Sequence, residues 1–122
     1  MKLDLSERRK YIRIAVPLRV DVSSGEWKEK SRTMDISPMG MRFKVSRKFS
    51  IPATVDLSIY LPSSDVPAGM RGKVIWQKRA ATDDNAPYDV GVEITDIGES
   101  KKVALLKYLC DMMYAAPCKT EW

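Results

Sequence analysis

The chain has 122 residues, 44% of them hydrophobic and 30% charged, with a formal net charge of +5. That length suits one domain with a real core and is too short for two. No apolar run approaches the ~18–20 residues that span a bilayer, and the N-terminus is too polar for a signal-peptide core, so a cytoplasmic protein without membrane insertion is expected. The absence of histidine removes imidazole acid–base catalysis and imidazole metal sites. No nucleophile motif, paired-carboxylate arrangement or phosphate-binding glycine loop takes their place, so the chain is not read as an enzyme.

Charge is unevenly spread. Residues 1–48 carry thirteen Lys/Arg against six Asp/Glu, a balance of +7, whereas residues 49–122 carry a balance of −2. An anionic partner on the first half and a merely solvated basic surface both account for that asymmetry. Residues 1–13 show no clean period and are mostly charged, so they are read as a flexible basic arm. Residues 14–116 are read as the single domain.

From Leu18 the pattern alternates, with Leu18, Val20 and Val22 set against Arg19 and Asp21. Pro17 marks a strand start or an edge, and Ser23–Glu26 has the composition of a hairpin turn. Trp27 to Ile36 makes a return strand of mixed polarity, with many Lys, Glu and Arg on one face. Met41, Phe43 and Val45 alternate with Arg42, Lys44 and Ser46, and Val55, Leu57, Ile59 and Leu61 do the same after a connection at 47–52. Met70 to Lys78 is a fifth strand. A polar loop at 80–87 leads to a sixth, in which Tyr88, Val90, Val92 and Ile94 alternate with Asp89, Gly91, Glu93 and Thr95. Six strands joined mainly by short turns predict a small antiparallel barrel or sandwich.

The C-terminal segment has helical periodicity, predicted over about 97–115. Asp96 and Glu99 have capping-box spacing, and Pro117 is expected to end the helix. Val103, Leu106, Cys110 and Met113, widened by Leu105, Leu109 and Met112, form the expected buried stripe. The two cysteines, Cys110 and Cys118, have no metal spacing and read as idle or buried thiols.

Two stretches carry chemistry. In Glu7-Arg8-Arg9-Lys10-Tyr11-Ile12-Arg13, the four-residue step from Arg9 to Arg13 lets two guanidinium groups converge on one anion. Arginine suits this because its planar fork bonds phosphate through two donors and stacks on a base. In Asp35-Ile36-Ser37-Pro38-Met39-Gly40, the ionised Asp35 only accepts hydrogen bonds. It would oppose pure phosphate binding, but it matches the adjacent N1–H and amino donors of guanine. Ser37, two residues on, falls on the same side of an extended strand. Gly40 is expected to take a positive φ and turn the chain sharply. Taken singly, the first stretch reads equally as a basic tail and the second as a plain β-turn.

In combination, Arg-x-x-x-Arg at 9–13 followed by Asp-x-Ser-x-x-Gly at 35–40 resembles the PilZ family, the bacterial receptors for cyclic di-GMP. Gly72-Lys73-Val74-Ile75-Trp76 and Tyr88-Asp89-Val90-Gly91-Val92-Glu93-Ile94 are similar to that family's later strands, so the resemblance covers roughly residues 7–115. It implies a six-stranded antiparallel barrel with a C-terminal helix, whose arm closes over the bound dinucleotide and so alters contact with an unidentified downstream protein. It further implies that Arg9 and Arg13, assisted by Arg8, contact phosphate and guanine faces. Asp35 and Ser37 would hold a guanine edge, and Gly40 would set the loop. Trp76 is either an apolar wall of the site or a core tryptophan. No cofactor is implied beyond that ligand. The competing reading is a basic nucleic-acid-binding barrel with Tyr11, Trp27 and Phe43 as stacking residues.

Overall fold

The structure, a computed structural model, describes residues 13–62, 64–80 and 86–121, with side chains as far as residue 112. Six strands and one helix follow in chain order: β1 (Arg19–Ser24), β2 (Trp27–Ser37), β3 (Gly40–Val45), β4 (Ala53–Ile59), β5 (Ala68–Arg79), β6 (Tyr88–Ile97) and α1 (Glu99–Glu121). Every pairing is antiparallel, and the strands close into a barrel in the order β1-β2-β3-β6-β5-β4. Among the described residues closure leaves no unpaired sheet edge, which is how a short, strand-rich chain satisfies its backbone polar groups.

The alternating residues fill the barrel. Val20, Val22, Met41, Phe43, Val45, Val55, Leu57, Ile59, Val74, Val90 and Val92 are all buried in one core. Gly25, at φ 64°, supplies the left-handed residue of the β1–β2 turn. Beyond the barrel proper, the far end of this hairpin rests on the 46–49 connection. Trp27 meets Phe49 edge-on at 5.5 Å, and both oxygens of Glu29 accept from the Ser46 amide, at 3.2 and 3.0 Å.

The helix departs from expectation in three ways. Asp96 lies in β6 opposite Arg71, so it does not cap α1; the first helical bond instead runs from the Lys102 amide to the Gly98 carbonyl, 2.8 Å. The helix also continues through Pro117 to Glu121, forgoing the one hydrogen bond that proline cannot donate. Its buried face is Leu105 and Leu109, flanked by partly buried Ala104 and Tyr108, while Val103 is 54% exposed and Cys110 is exposed. The stripe was broad enough to fit more than one rotation, and docking on the barrel end selected this one. Among the described residues no helix is long and apolar enough to cross a membrane.

Candidate ligand-binding site

Two β-bulges decide what stands on the outer wall. In β2, Thr33 faces Phe43 and is buried; continued alternation would send Asp35 into the core as well. The register slips instead, so that Asp35 pairs with Arg42 and Ile36 with Met41. Ile36 takes the core position at 0% exposure, and Asp35 is turned outward. In β5, Val74 pairs with Val92, and the register slips again so that Trp76 pairs with Gly91. Trp76 therefore lies outside the barrel, half-buried, with its indole across Gly91. A side chain at Gly91 would collide with that ring.

The registers then align one outer row across four strands: Asp35 on β2, Arg42 on β3, Gly91 on β6 and Trp76 on β5. Arg13 joins its β2 end. Ile14 forms a two-bond bridge with Ile36, donating to its carbonyl at 2.9 Å and accepting from its amide at 3.0 Å. Arg13 Nη1 then donates to Asp35 Oδ1 at 2.7 Å. The chain reaches this point past Pro17, whose missing amide interrupts the ladder. Thr33 fills the gap, accepting from the Leu18 amide at 2.9 Å and donating to the Val16 carbonyl at 2.5 Å.

Arg42, which sequence reasoning assigned only to a polar strand face, lies between two carboxylates. Its Nε is 3.5 Å from Asp35 Oδ2 and 3.9 Å from Asp89 Oδ1. Asp89 also departs from the expected alternation. Although it points outward, it is only 7% exposed, so its charge needs this guanidinium. The available sequence signal was positional: Asp89 and Arg42 flank Gly91 and Phe43 in strands that both alternate.

Ser37 and Gly40 shape the loop. The Ser37 side chain is buried and accepts from the Met39 amide at 3.2 Å. The Met39 carbonyl accepts from the Ile94 amide at 2.8 Å, tying the loop tip to β6. Gly40 does not have the positive φ expected of it; among the described residues only Gly25 does. Its role is close approach, because a Cβ there would strike the Val92 carbonyl on β6. Arg8 and Arg9 lie outside the described residues.

Concave surface occurs elsewhere too. A groove of about 640 Å³ on the outer side of β1–β3 is lined by Arg19, Lys30, Arg32 and Lys44 among others. Its one carboxylate, Glu29, is already taken up by the amide and hydroxyl of Ser46, and no aromatic side chain lines it among the described residues.

A closed antiparallel barrel with one helix, carrying a carboxylate between two guanidinium groups on its outer wall, has the architecture of a small ligand-binding β-barrel domain. The sequence profile of the PilZ domain matches residues 7–110, and the chain belongs to the PilZ domain family. PilZ domains are receptor modules for cyclic di-GMP rather than enzymes. Among solved structures, the inhibitor of motility MotI/DgrA of Bacillus subtilis superposes with a TM-score of 0.76 at 18% identity, over 89% of this chain and 52% of that one. This chain thus spans about half the length of that protein. The PilZ domain of Escherichia coli YcgR, solved with c-di-GMP, gives 0.66 at 13% identity over 93% and 98% of the two chains. The PilZ domain of CeSA from a cellulose-synthesizing bacterium gives 0.62 at 19%, over 84% and 98%. At these identities the likeness is one of fold. No curated protein matches the sequence.

Proposed function

We propose that this PilZ domain binds cyclic di-GMP along the outer row that begins at Arg13 and Asp35. The arginines of the first motif, Arg8, Arg9 and Arg13, engage phosphate and guanine faces, each charge-assisted bond contributing about 1.5–3 kcal/mol where water is excluded. Asp35 accepts from the N1–H and amino group of guanine, a donor pair that adenine lacks. Ser37 and Gly40 fix the loop that presents Asp35, and Trp76 forms an apolar wall at the far end of the row. Engagement of the N-terminal segment by ligand alters the surface offered to a downstream protein, and that change is the output.

The observation that supports this reading is the 2.7 Å contact between Arg13 and Asp35. It joins the two sequence motifs on one face, as a shared ligand requires. The nucleic-acid reading loses a stacking residue, because Phe43 is 1% exposed, and Trp27 packs against Phe49.

Calorimetric titration with cyclic di-GMP tests the proposal. Binding by the parent chain, weakened tenfold or more (about 1.4 kcal/mol) by Arg9→Ala or Asp35→Ala, is expected. Amide shifts should concentrate at residues 8–13 and 35–40. A parent chain that does not bind, or shifts confined to other surfaces, would overturn it.

A further inference from the structure

The family motifs leave Arg42 unassigned, yet it occupies the centre of the outer row. Its neighbours across the sheet are Asp35 on one side and Gly91, covered by Trp76, on the other. Its Nε is shut off from solvent and makes no hydrogen bond, and neither does the facing Asp89 Oδ1, 3.9 Å away. The side chain as a whole is 34% exposed, and its terminal amino groups have no hydrogen bond or ion pair among the described residues. Arg42 thus faces two carboxylates through its inner nitrogen, while its outer donors have no partner among the described residues.

We propose that Arg42 reads guanine, its terminal amino groups donating to the O6/N7 edge of the base whose N1–H and amino donors meet Asp35, with Asp89 as the residue that positions it. This rests on the cyclic di-GMP reading. Two arguments favour a base over a phosphate. Arg42 stands within 4 Å of two carboxylates, so an approaching phosphate is repelled where an uncharged acceptor is not. In guanine, moreover, O6 is borne on the carbon next to N1, so a donor adjacent to Asp35 meets O6. Adenine carries an amino group at that position, which would confront donor with donor. Arginine is the side chain whose fork matches O6 and N7 together.

The experiment measures affinity for cyclic di-GMP and cyclic di-AMP, by calorimetry and competition, across several salt concentrations. Arg42→Ala is expected to weaken cyclic di-GMP tenfold or more while leaving cyclic di-AMP within about threefold. The salt dependence should stay unchanged, because no phosphate contact is lost. Arg42→Lys keeps the positive charge beside Asp89 but lacks the fork, and is expected not to restore discrimination. Because Arg42→Ala leaves Asp89 uncompensated, the double variant Arg42→Ala/Asp89→Asn repeats the measurement without a stranded charge. Asp89→Asn alone, with its melting temperature followed as a fold control, should lower discrimination several-fold by loosening Arg42. Equal losses for both dinucleotides, a flattened salt dependence, or full rescue by lysine would overturn the assignment. A parent chain that binds cyclic di-GMP with Arg42→Ala unaffected sinks only the Arg42 inference; one that binds neither dinucleotide overturns the ligand reading as well.

Discussion

Arg13 Nη1 and Asp35 Oδ1 stand 2.7 Å apart, although 22 positions separate them in the chain. The contact is not carried by its own energy: the Arg13 side chain is 51% exposed, and pairs so placed contribute little. It is carried by the backbone bridge between Ile14 and Ile36, which delivers Arg13 to that point. A double-mutant cycle of Arg13→Ala and Asp35→Ala on unfolding free energy is therefore expected to give a coupling of about 0.2–1 kcal/mol, shrinking with salt.

Thr33 matters more to stability than either of those charges. Its hydroxyl is buried and serves two backbone groups around Pro17. Thr33→Val removes both hydroxyl bonds, leaving the Leu18 amide and the Val16 carbonyl only their 3.1 Å bond to each other, and should cost about 0.5–1.5 kcal/mol per lost bond in denaturant unfolding. It should also weaken cyclic di-GMP binding, since the segment bearing Arg13 loses its anchor. Thr33→Ser keeps the hydroxyl and should retain most of both.

Gly91 on β6 and Gly40 on β3 differ in what a methyl group would meet. At Gly91 it meets the Trp76 ring, a side chain that can swing away; at Gly40 it meets the Val92 carbonyl, which the ladder holds. Gly91→Ala should shift the Trp76 fluorescence and cost about 1–3 kcal/mol, and Gly40→Ala should cost at least as much by thermal melting. Only the first should alter the tryptophan signal strongly.

Docking of α1 depends on Leu105, which is 1% exposed, and not on Val103. Leu105→Ala should destabilise the domain by about 2–5 kcal/mol. Val103→Ala should fall within about 0.5 kcal/mol of the parent. Equal effects would place the helix at a different rotation.

A small network on β1 predicts pH dependence at both extremes. The Tyr60 hydroxyl donates to Asp21 Oδ2 at 2.9 Å, and Arg19 donates to both oxygens of Asp21 at 3.2 Å. The bond to Asp21, with burial and the carboxylate charge adding to it, raises Tyr60 above the ordinary phenol range. At Asp21 burial pushes the carboxyl up, but the bonds from Arg19 and Tyr60 outweigh it and the net shift is downward. The Tyr60 contribution to stability is thus fully present below the ordinary phenol value of about 10 and is lost as pH rises through the elevated folded value. The Asp21 contribution is present above the ordinary carboxylate value and is lost as pH falls through the depressed one. Spectrophotometric titration of tyrosine should show Tyr60 moving down toward its ordinary range in Asp21→Asn.

Much of the barrel is legible in the chain. Val20/Val22, Met41/Phe43/Val45 and Val55/Leu57/Ile59 alternate in sequence, and every one of them is buried. Period-two patterning is a local property, and burying one face of each strand requires nothing further. The helix shows the limit of such reasoning. Its apolar residues announce a helix, but they cover too much of the circumference to say which of them meet the barrel.

What the sequence by itself determined is the family, the strands and the residue types of the two motifs: cations that converge and a carboxylate that accepts. Only the tertiary structure decided which side of the wall those residues occupy. An inserted residue in β2 turns Asp35 outward, and another in β5 does the same for Trp76. A bulge is a mismatch between two strands, so neither strand's sequence contains it alone. The same holds for Arg42 and Asp89, ordinary members of separate strands until barrel closure sets them 3.9 Å apart.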